Sequence, residues 1–117
     1  MDCKKAIEAH VQWKSKLAAY FAKPDHSVNA ATLAMDNQCE LGEWLAGEGR
    51  KHASWPGFAK LVTEHASFHK AAAELVKRAD TGQKVDQEIA LGAKSDYASV
   101  SSAVVSSLMR MHRDLKL

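Results

Sequence analysis

Two histidines lie four residues apart in a segment whose composition favours helix. His65 and His69 would project from the same helical face, because one helical turn takes about 3.6 residues. Two imidazoles held in this way can bind one metal ion with little further ordering. Upstream, His10 and Cys39 supply two more ligands of the kind that zinc prefers. Three histidines and one cysteine form a complete tetrahedral set, so the sequence suggests a closed zinc site.

The elements that would position these residues are predicted to be helices. The chain has only 2 prolines, alanine is frequent, and no long alternating run of β-branched residues indicates a sheet. The apolar spacing and the breaks at proline and glycine predict an antiparallel four-helix bundle in a single domain, 1–117. A short extra turn or helix is expected between the second and third helices. The predicted helices span about 2–22, 29–46 with a possible interruption near 35–36, 56–79, and 85–117 with a weak point near 92.

The four candidate ligands fall on the inward faces of these helices. His65 and His69 lie within the apolar stripe of the third helix, His10 points inward from the first, and Cys39 lies close to Leu41. Such residues can also be ordinary core histidines and a small apolar thiol. Three buried imidazoles without a metal would, however, need partners for every ring nitrogen, at about 1–3 kcal/mol for each unmet group. Both interpretations remain open at this point.

The remaining chemical residues carry weaker signals. His26, His52 and His112 are expected to be solvated. Cys3 is expected to be an inert thiol near a fraying helix end. The three tryptophans are expected to anchor the core, because no basic groove accompanies them as in a base-stacking platform. They are Trp13, Trp44 and Trp55.

Composition excludes several classes of function. The net charge is +2 with no basic block, which argues against nucleic-acid binding. No apolar stretch is long enough for a signal peptide or a membrane span, so no membrane contact and a cytoplasmic location are expected. With only 2 cysteines, no disulfide is expected. No nucleophile–base pair or phosphate loop is present, so no catalytic residue is assigned and the protein is expected not to be an enzyme.

Three specific runs occur in the chain in a fixed order. They are His10-Val-Gln-Trp-Lys14, Asp36-Asn-Gln-Cys-Glu-Leu-Gly-Glu-Trp-Leu45 followed by Gly47-Glu-Gly49, and His65-Ala-Ser-Phe-His69. Taken together, these runs resemble the chemoreceptor zinc-binding (CZB) domain family, and the similarity extends into Gly92 and the serine-rich stretch 97–102. The resemblance implies zinc held inside a helical bundle by His10, Cys39, His65 and His69. It also implies a regulatory role beside a chemoreceptor or diguanylate cyclase, in which zinc occupancy or cysteine oxidation alters signalling, and pairing as a homodimer.

Two other functions are alternatives to a zinc sensor. The domain could be a helical dimerisation module in which zinc is purely structural. A di-iron carboxylate bundle needs several inward Glu-x-x-His motifs, whereas Glu64 is adjacent to His65 and should point elsewhere. Asp36, one turn before Cys39, could accept a hydrogen bond from a ligand imidazole or could be an exposed helical acid.

Overall fold

The structure, a computed structural model, describes residues 1–35, 39–82 and 85–117. These residues form helices and turns and no strand, which confirms the predicted all-helical class. The long helices are α1, α4 and α6, and shorter helical segments connect them. In chain order the elements are α1 Cys3–Ala22, α2 Ala30–Leu33, α3 Glu40–Ala46, a 3-10 helix Glu48–His52, α4 Phe58–Asp80, α5 Gln87–Leu91 and α6 Asp96–Leu115.

The core lies between the three long helices, with α6 packed against both α4 and α1. Each helix contributes fully buried apolar side chains, and burying one such side chain stabilises the fold by about 1.5–3 kcal/mol. The opposite faces of these helices carry exposed polar residues. Accordingly, none of the described helices is both long and apolar enough to cross a membrane. The side chains with no exposed surface include Leu17, Leu61, Phe68, Val76, Val104, Leu108 and Met111.

The predicted second helix is divided into two short helices. α2 ends at Leu33, and α3 starts only after Cys39, whose sulfur accepts a hydrogen bond from the Gly42 N–H at 3.4 Å. The interruption expected near 35–36 is confirmed at Met35, and Asp36 lies outside the described residues. A side chain that caps the backbone N–H groups of a new helix ends any continuous helix through that point.

The predicted fourth helix is divided in the same way. α5 ends at Leu91, and α6 begins after Ser95, whose hydroxyl accepts a hydrogen bond from the Ala98 N–H at 3.1 Å. The weak point expected near Gly92 is a complete break, because Ser95 provides a separate cap for the second segment.

The start of α1 corrects one prediction. Asp2 caps the helix as predicted, with its carboxylate accepting from the N–H groups of Lys4 and Lys5 at 2.9 and 3.2 Å. Cys3, predicted to lie at a fraying end, is instead fully buried in the core. Burial raises the pKa of its thiol, which makes it inert for a different reason from the one predicted.

The short segment between α3 and α4 contacts α3 near its start and α6 near its end. Gly49 lies so close to Trp44 that a Cβ at position 49 would stand 2.6 Å from the Trp44 carbonyl oxygen and 2.7 Å from its ring. At the other end, the Trp55 indole N–H donates to the Asp114 carboxylate of α6 at 3.0 Å. The segment from Gly49 to Trp55 therefore contacts α3 at one end and the last turn of α6 at the other. The three tryptophans are half-buried and pack against the core, in agreement with the predicted anchoring role.

We expect Gly49→Ala to destabilise the protein by about 1–3 kcal/mol, the usual range for overpacking a close contact. Urea unfolding followed by circular dichroism measures the change. Lys51→Ala, at an exposed position of the same 3-10 helix, is the matched control and should leave the unfolding midpoint nearly unchanged. Equal stability of the two variants would contradict the close packing of Gly49 on Trp44.

Candidate metal centre

The four side chains singled out by the sequence meet at one place in the fold. One nitrogen or sulfur atom from each of His10, Cys39, His65 and His69 lies within 4.8 Å of all the others. The three histidines are buried, and Cys39 is partly buried. They come from α1, from the N-cap of α3 and from α4, so the cluster joins three separate elements.

Three of the distances between donor atoms are close to the edges of a tetrahedral zinc site. The Nε2 atoms of His65 and His69 are 3.0 Å apart, and Cys39 Sγ lies 3.2 Å from the first and 3.5 Å from the second. Zn–N and Zn–S bonds of ordinary length at tetrahedral angles would separate the ligand atoms by about 3.3–3.6 Å. Small shifts of these three side chains, together with an approach of His10, whose donor atom lies within 4.8 Å of the others, would therefore accommodate the ion.

Two backbone carbonyls orient the imidazoles. His10 Nδ1 lies 2.7 Å from the Ala6 carbonyl oxygen, and His69 Nδ1 lies 2.8 Å from the Leu33 carbonyl oxygen. Because a carbonyl can only accept, each Nδ1 carries the proton and donates it. The Nε2 atom of each ring then presents a lone pair. This is the usual arrangement around a bound metal, in which the outer hydrogen bond sets the tautomer of the ligand.

These carbonyl contacts were not predicted from the sequence. Helix geometry alone could have found the Ala6 contact, since Ala6 lies one turn before His10 on the same helix. The Leu33 contact joins α2 to α4 across 36 positions of the chain. Backbone carbonyls are common to all residues, so no residue type signals that contact.

The protonation state of the buried imidazoles favours a bound cation. Burial, and then the neighbouring His69 and His10, lowers the pKa of His65 to about 3. Burial also lowers the pKa of His10. The imidazoles of His65 and His10 are therefore neutral at pH 7, which is the form that binds metal. Several lone pairs and a sulfur converge at short range, and a cation would relieve their mutual repulsion. The residues present thus fit a zinc ion.

An aromatic wall closes one side of the cluster. The Phe68 ring packs edge-on against His10 and His69, with centroid distances of 5.1 and 5.6 Å. Tyr97 of α6 packs behind Phe68 at 5.5 Å and is itself buried. Burial raises the pKa of Tyr97 to about 12, so this wall contributes no charge at neutral pH. It keeps water away from the imidazoles on that side.

The other histidines lie outside the cluster. His26 and His112 are exposed, as predicted. His52, also predicted to be solvated, is instead half-buried and stacked on Trp44 with a centroid distance of 5.8 Å. Its Nε2 is buried and has no hydrogen-bond partner within the described part of the chain. The sequence could not show this contact, because it arises when the 3-10 helix folds back on α3.

Of the carboxylates of Glu64 and Asp36, only that of Glu64 lies within the described residues. Glu64 points away from the cluster, as predicted, and its carboxylate accepts a hydrogen bond from the Ser107 hydroxyl of α6. Asp36 lies outside the described residues, so its role beside the imidazoles stays a prediction.

Comparison with known families identifies the class of this protein. The sequence model of the chemoreceptor zinc-binding domain matches residues 10–76, more than half of the chain and all four clustered side chains. The chain therefore belongs to the CZB family of zinc-binding signalling domains, and zinc is its cofactor. The similarity noted from Gly92 onward lies beyond the matched range and stays a prediction. No curated protein and no solved structure matches the chain.

We expect the zinc-free protein to lose stability as the pH falls from about 6.5 towards about 3. The folded pKa of His65 and of His10 lies below that of an unfolded histidine. On acidification the unfolded chain therefore takes up protons that the folded protein cannot bind.

Urea unfolding midpoints in the presence of a chelator, compared between about pH 7.5 and about pH 5, measure this effect. His65→Gln should reduce the pH dependence, whereas exposed His112→Gln should retain it. An identical pH dependence in both variants would contradict the assignment of the buried neutral imidazole.

Proposed function

We propose that His10, Cys39, His65 and His69 bind one zinc ion, and that residues 1–117 form a regulatory domain of a bacterial signalling protein. The observation that carries the proposal is the convergence of these four side chains, with two of the rings oriented by backbone carbonyls. The bound ion would supply a divalent charge that keeps Cys39 as a thiolate and ties α1, α3 and α4 together. Membership of a zinc-binding signalling family supports the same reading.

The ligand set favours sensing over catalysis. Three histidines and one cysteine fill a tetrahedral site and leave no position for a reactive water, which catalytic zinc sites keep open. No carboxylate belongs to the cluster within the described residues, so a di-iron carboxylate centre has no support there. We therefore treat the domain as non-catalytic.

Cys39 is the residue through which the site would change the structure. Its sulfur is both a proposed ligand and the N-cap of α3. Oxidation of the thiolate by an oxidant such as hypochlorous acid, which transfers oxygen to the sulfur to give a sulfenic acid and is reduced to chloride, would weaken both contacts. α3 would then shift relative to α4. Through Trp44, Gly49 and the Trp55–Asp114 hydrogen bond, the shift would reach the last turn of α6.

The output and the assembly are also part of the proposal. The resemblance to the CZB family implies a chemoreceptor or diguanylate cyclase as the controlled protein and a homodimer as the functional unit, and the matched family model is named for the chemoreceptor. Neither cysteine forms a disulfide, which suits the proposed location in the reducing cytoplasm. Within each chain we regard α2 and α3 together as the fourth member of a bundle formed with α1, α4 and α6.

A purely structural zinc is the second candidate, because the three histidines are at most 4% exposed and lie within the core. Under that alternative, the domain would mainly serve dimerisation. Removing zinc would then unfold the whole domain, since metal binding in small domains is coupled to folding.

Metal content and affinity test the ligand set. Purified wild-type protein should contain about one zinc per chain, as a single tetrahedral site requires. Cys39→Ser should stay folded but bind zinc at least about 100-fold more weakly in a competition titration with a chelating dye. His112→Gln, outside the cluster, is the control and should bind like wild type. Unchanged affinity in Cys39→Ser would rule out the four-ligand site.

Hydrogen exchange with and without zinc separates regulation from a structural role. We expect zinc removal to speed exchange in α3 and the 3-10 helix while the core of α4 and α6 stays protected, because few buried contacts hold the short segments. Uniform loss of protection throughout the chain would instead support the structural alternative.

A further inference from the structure

Cys39 is more accessible than its three partners in the proposed site. The histidines are at most 4% exposed, whereas Cys39 is only partly buried. A cavity of about 60 Å³ lies beside it, between the first turns of α1 and the start of α3. Its lining includes Cys39 and His10, and Lys5, Ala9 and Glu40 contribute to its walls.

We propose that this cavity is the route by which solutes reach Cys39 Sγ, and that it admits only molecules of a few heavy atoms. The inference rests on the proposed function, because it specifies the class of reagent to which the site responds. A space of this size holds a few water molecules. Small oxidants fit it, whereas a peptide disulfide such as oxidised glutathione does not.

A larger opening lies on the other side of the cluster but does not lead to the sulfur. A groove of about 470 Å³ runs between α3 and α4, lined by residues that include Leu45, Ala46, Phe58 and Val62. It touches His65 of the cluster and not Cys39. A solute in this groove therefore meets an imidazole whose Nε2 is turned towards the other ligands.

The width of the cavity beside Cys39 depends on small side chains of α1. Ala6 and Ala9 are one turn apart and both line it, so neither fills the space. A longer apolar side chain at position 9 would occupy a volume comparable to that of a few waters. Ala9 is exposed and does not belong to the core, so a larger residue there leaves the helix intact.

Alkylation rates compare reagents of different size on the same thiol. Iodoacetamide is the small probe: the sulfur attacks its methylene carbon, a C–S bond forms, the C–I bond breaks and iodide leaves with the bonding electron pair. Fluorescein-5-maleimide is the large probe, adding the sulfur and a proton across its double bond. Peptide mass spectrometry reads Cys39 separately from Cys3, and each rate is divided by the rate on urea-unfolded protein.

We expect the large probe to be slowed at least about tenfold more than the small probe in the folded, chelator-treated protein, because packed side chains exclude it. On zinc-loaded protein the large probe should again be slowed more than the small probe. Equal relative rates for the two probes would overturn the size restriction.

Two matched alanine variants locate the route. Ala9→Leu narrows the cavity beside Cys39, and Ala46→Leu narrows the groove beside His65; both positions are exposed on helices. We expect Ala9→Leu to slow iodoacetamide by about fivefold or more and Ala46→Leu to change it by less than about twofold, since only the first fills space next to the sulfur. A reversed pattern would assign the route to the groove and overturn the proposal.

Zinc titration of the same variants keeps this inference separate from the proposed function. Ala9→Leu should bind zinc as tightly as wild type, because it replaces no ligand. If Cys39→Ser kept full zinc affinity, the proposed function would fail whatever the alkylation rates. If only the alkylation pattern failed, the zinc site would stand and the access route would not.

Discussion

The interaction on which the structure depends is the convergence of three imidazoles and one sulfur in the interior. Their donor atoms lie within 4.8 Å of one another. The Nδ1 atoms of His10 and His69 donate their protons to backbone carbonyls, so the Nε2 atom of each ring is unprotonated. A cation would bind favourably in such a cluster, because it would accept the lone pairs that these buried atoms direct towards one point. The packing of the helices thus brings together the donor atoms that we propose bind zinc, and it joins α1, α3 and α4 at one point.

The two short helices α2 and α3 both contact the cluster. α2 supplies the carbonyl of Leu33 to His69, and α3 is capped by the sulfur of Cys39. Neither helix is long enough to be stable alone. Their order depends on contacts with α4 and with the cluster, so they are the parts of the fold most sensitive to the state of the site. The long helices α1, α4 and α6 have an apolar core of their own.

The contacts between α3 and α6 explain how a local change could extend beyond the site. Trp44 packs on Gly49 and stacks with His52, and Trp55 donates to Asp114. The segment from α3 to Trp55 is therefore held at the cluster on one side and at the end of α6 on the other. Tight packing transmits displacement because its interior has few voids to absorb it.

The sequence by itself determined the helical class, the long helices α1 and α4 and the identity of the clustered side chains, whereas the two other long helices that it predicted are each divided in the structure. His65 and His69 share a face because helical periodicity is a local property, and His10 and Cys39 have the chemistry of zinc ligands. Only the tertiary structure decided which contacts surround them: the carbonyl of Leu33 on His69, the burial of Cys3 and His52, and the break that makes Cys39 a cap. These contacts depend on how distant segments of the chain pack. Every residue carries a backbone carbonyl, so the sequence does not indicate which carbonyl will accept a hydrogen bond from a ligand.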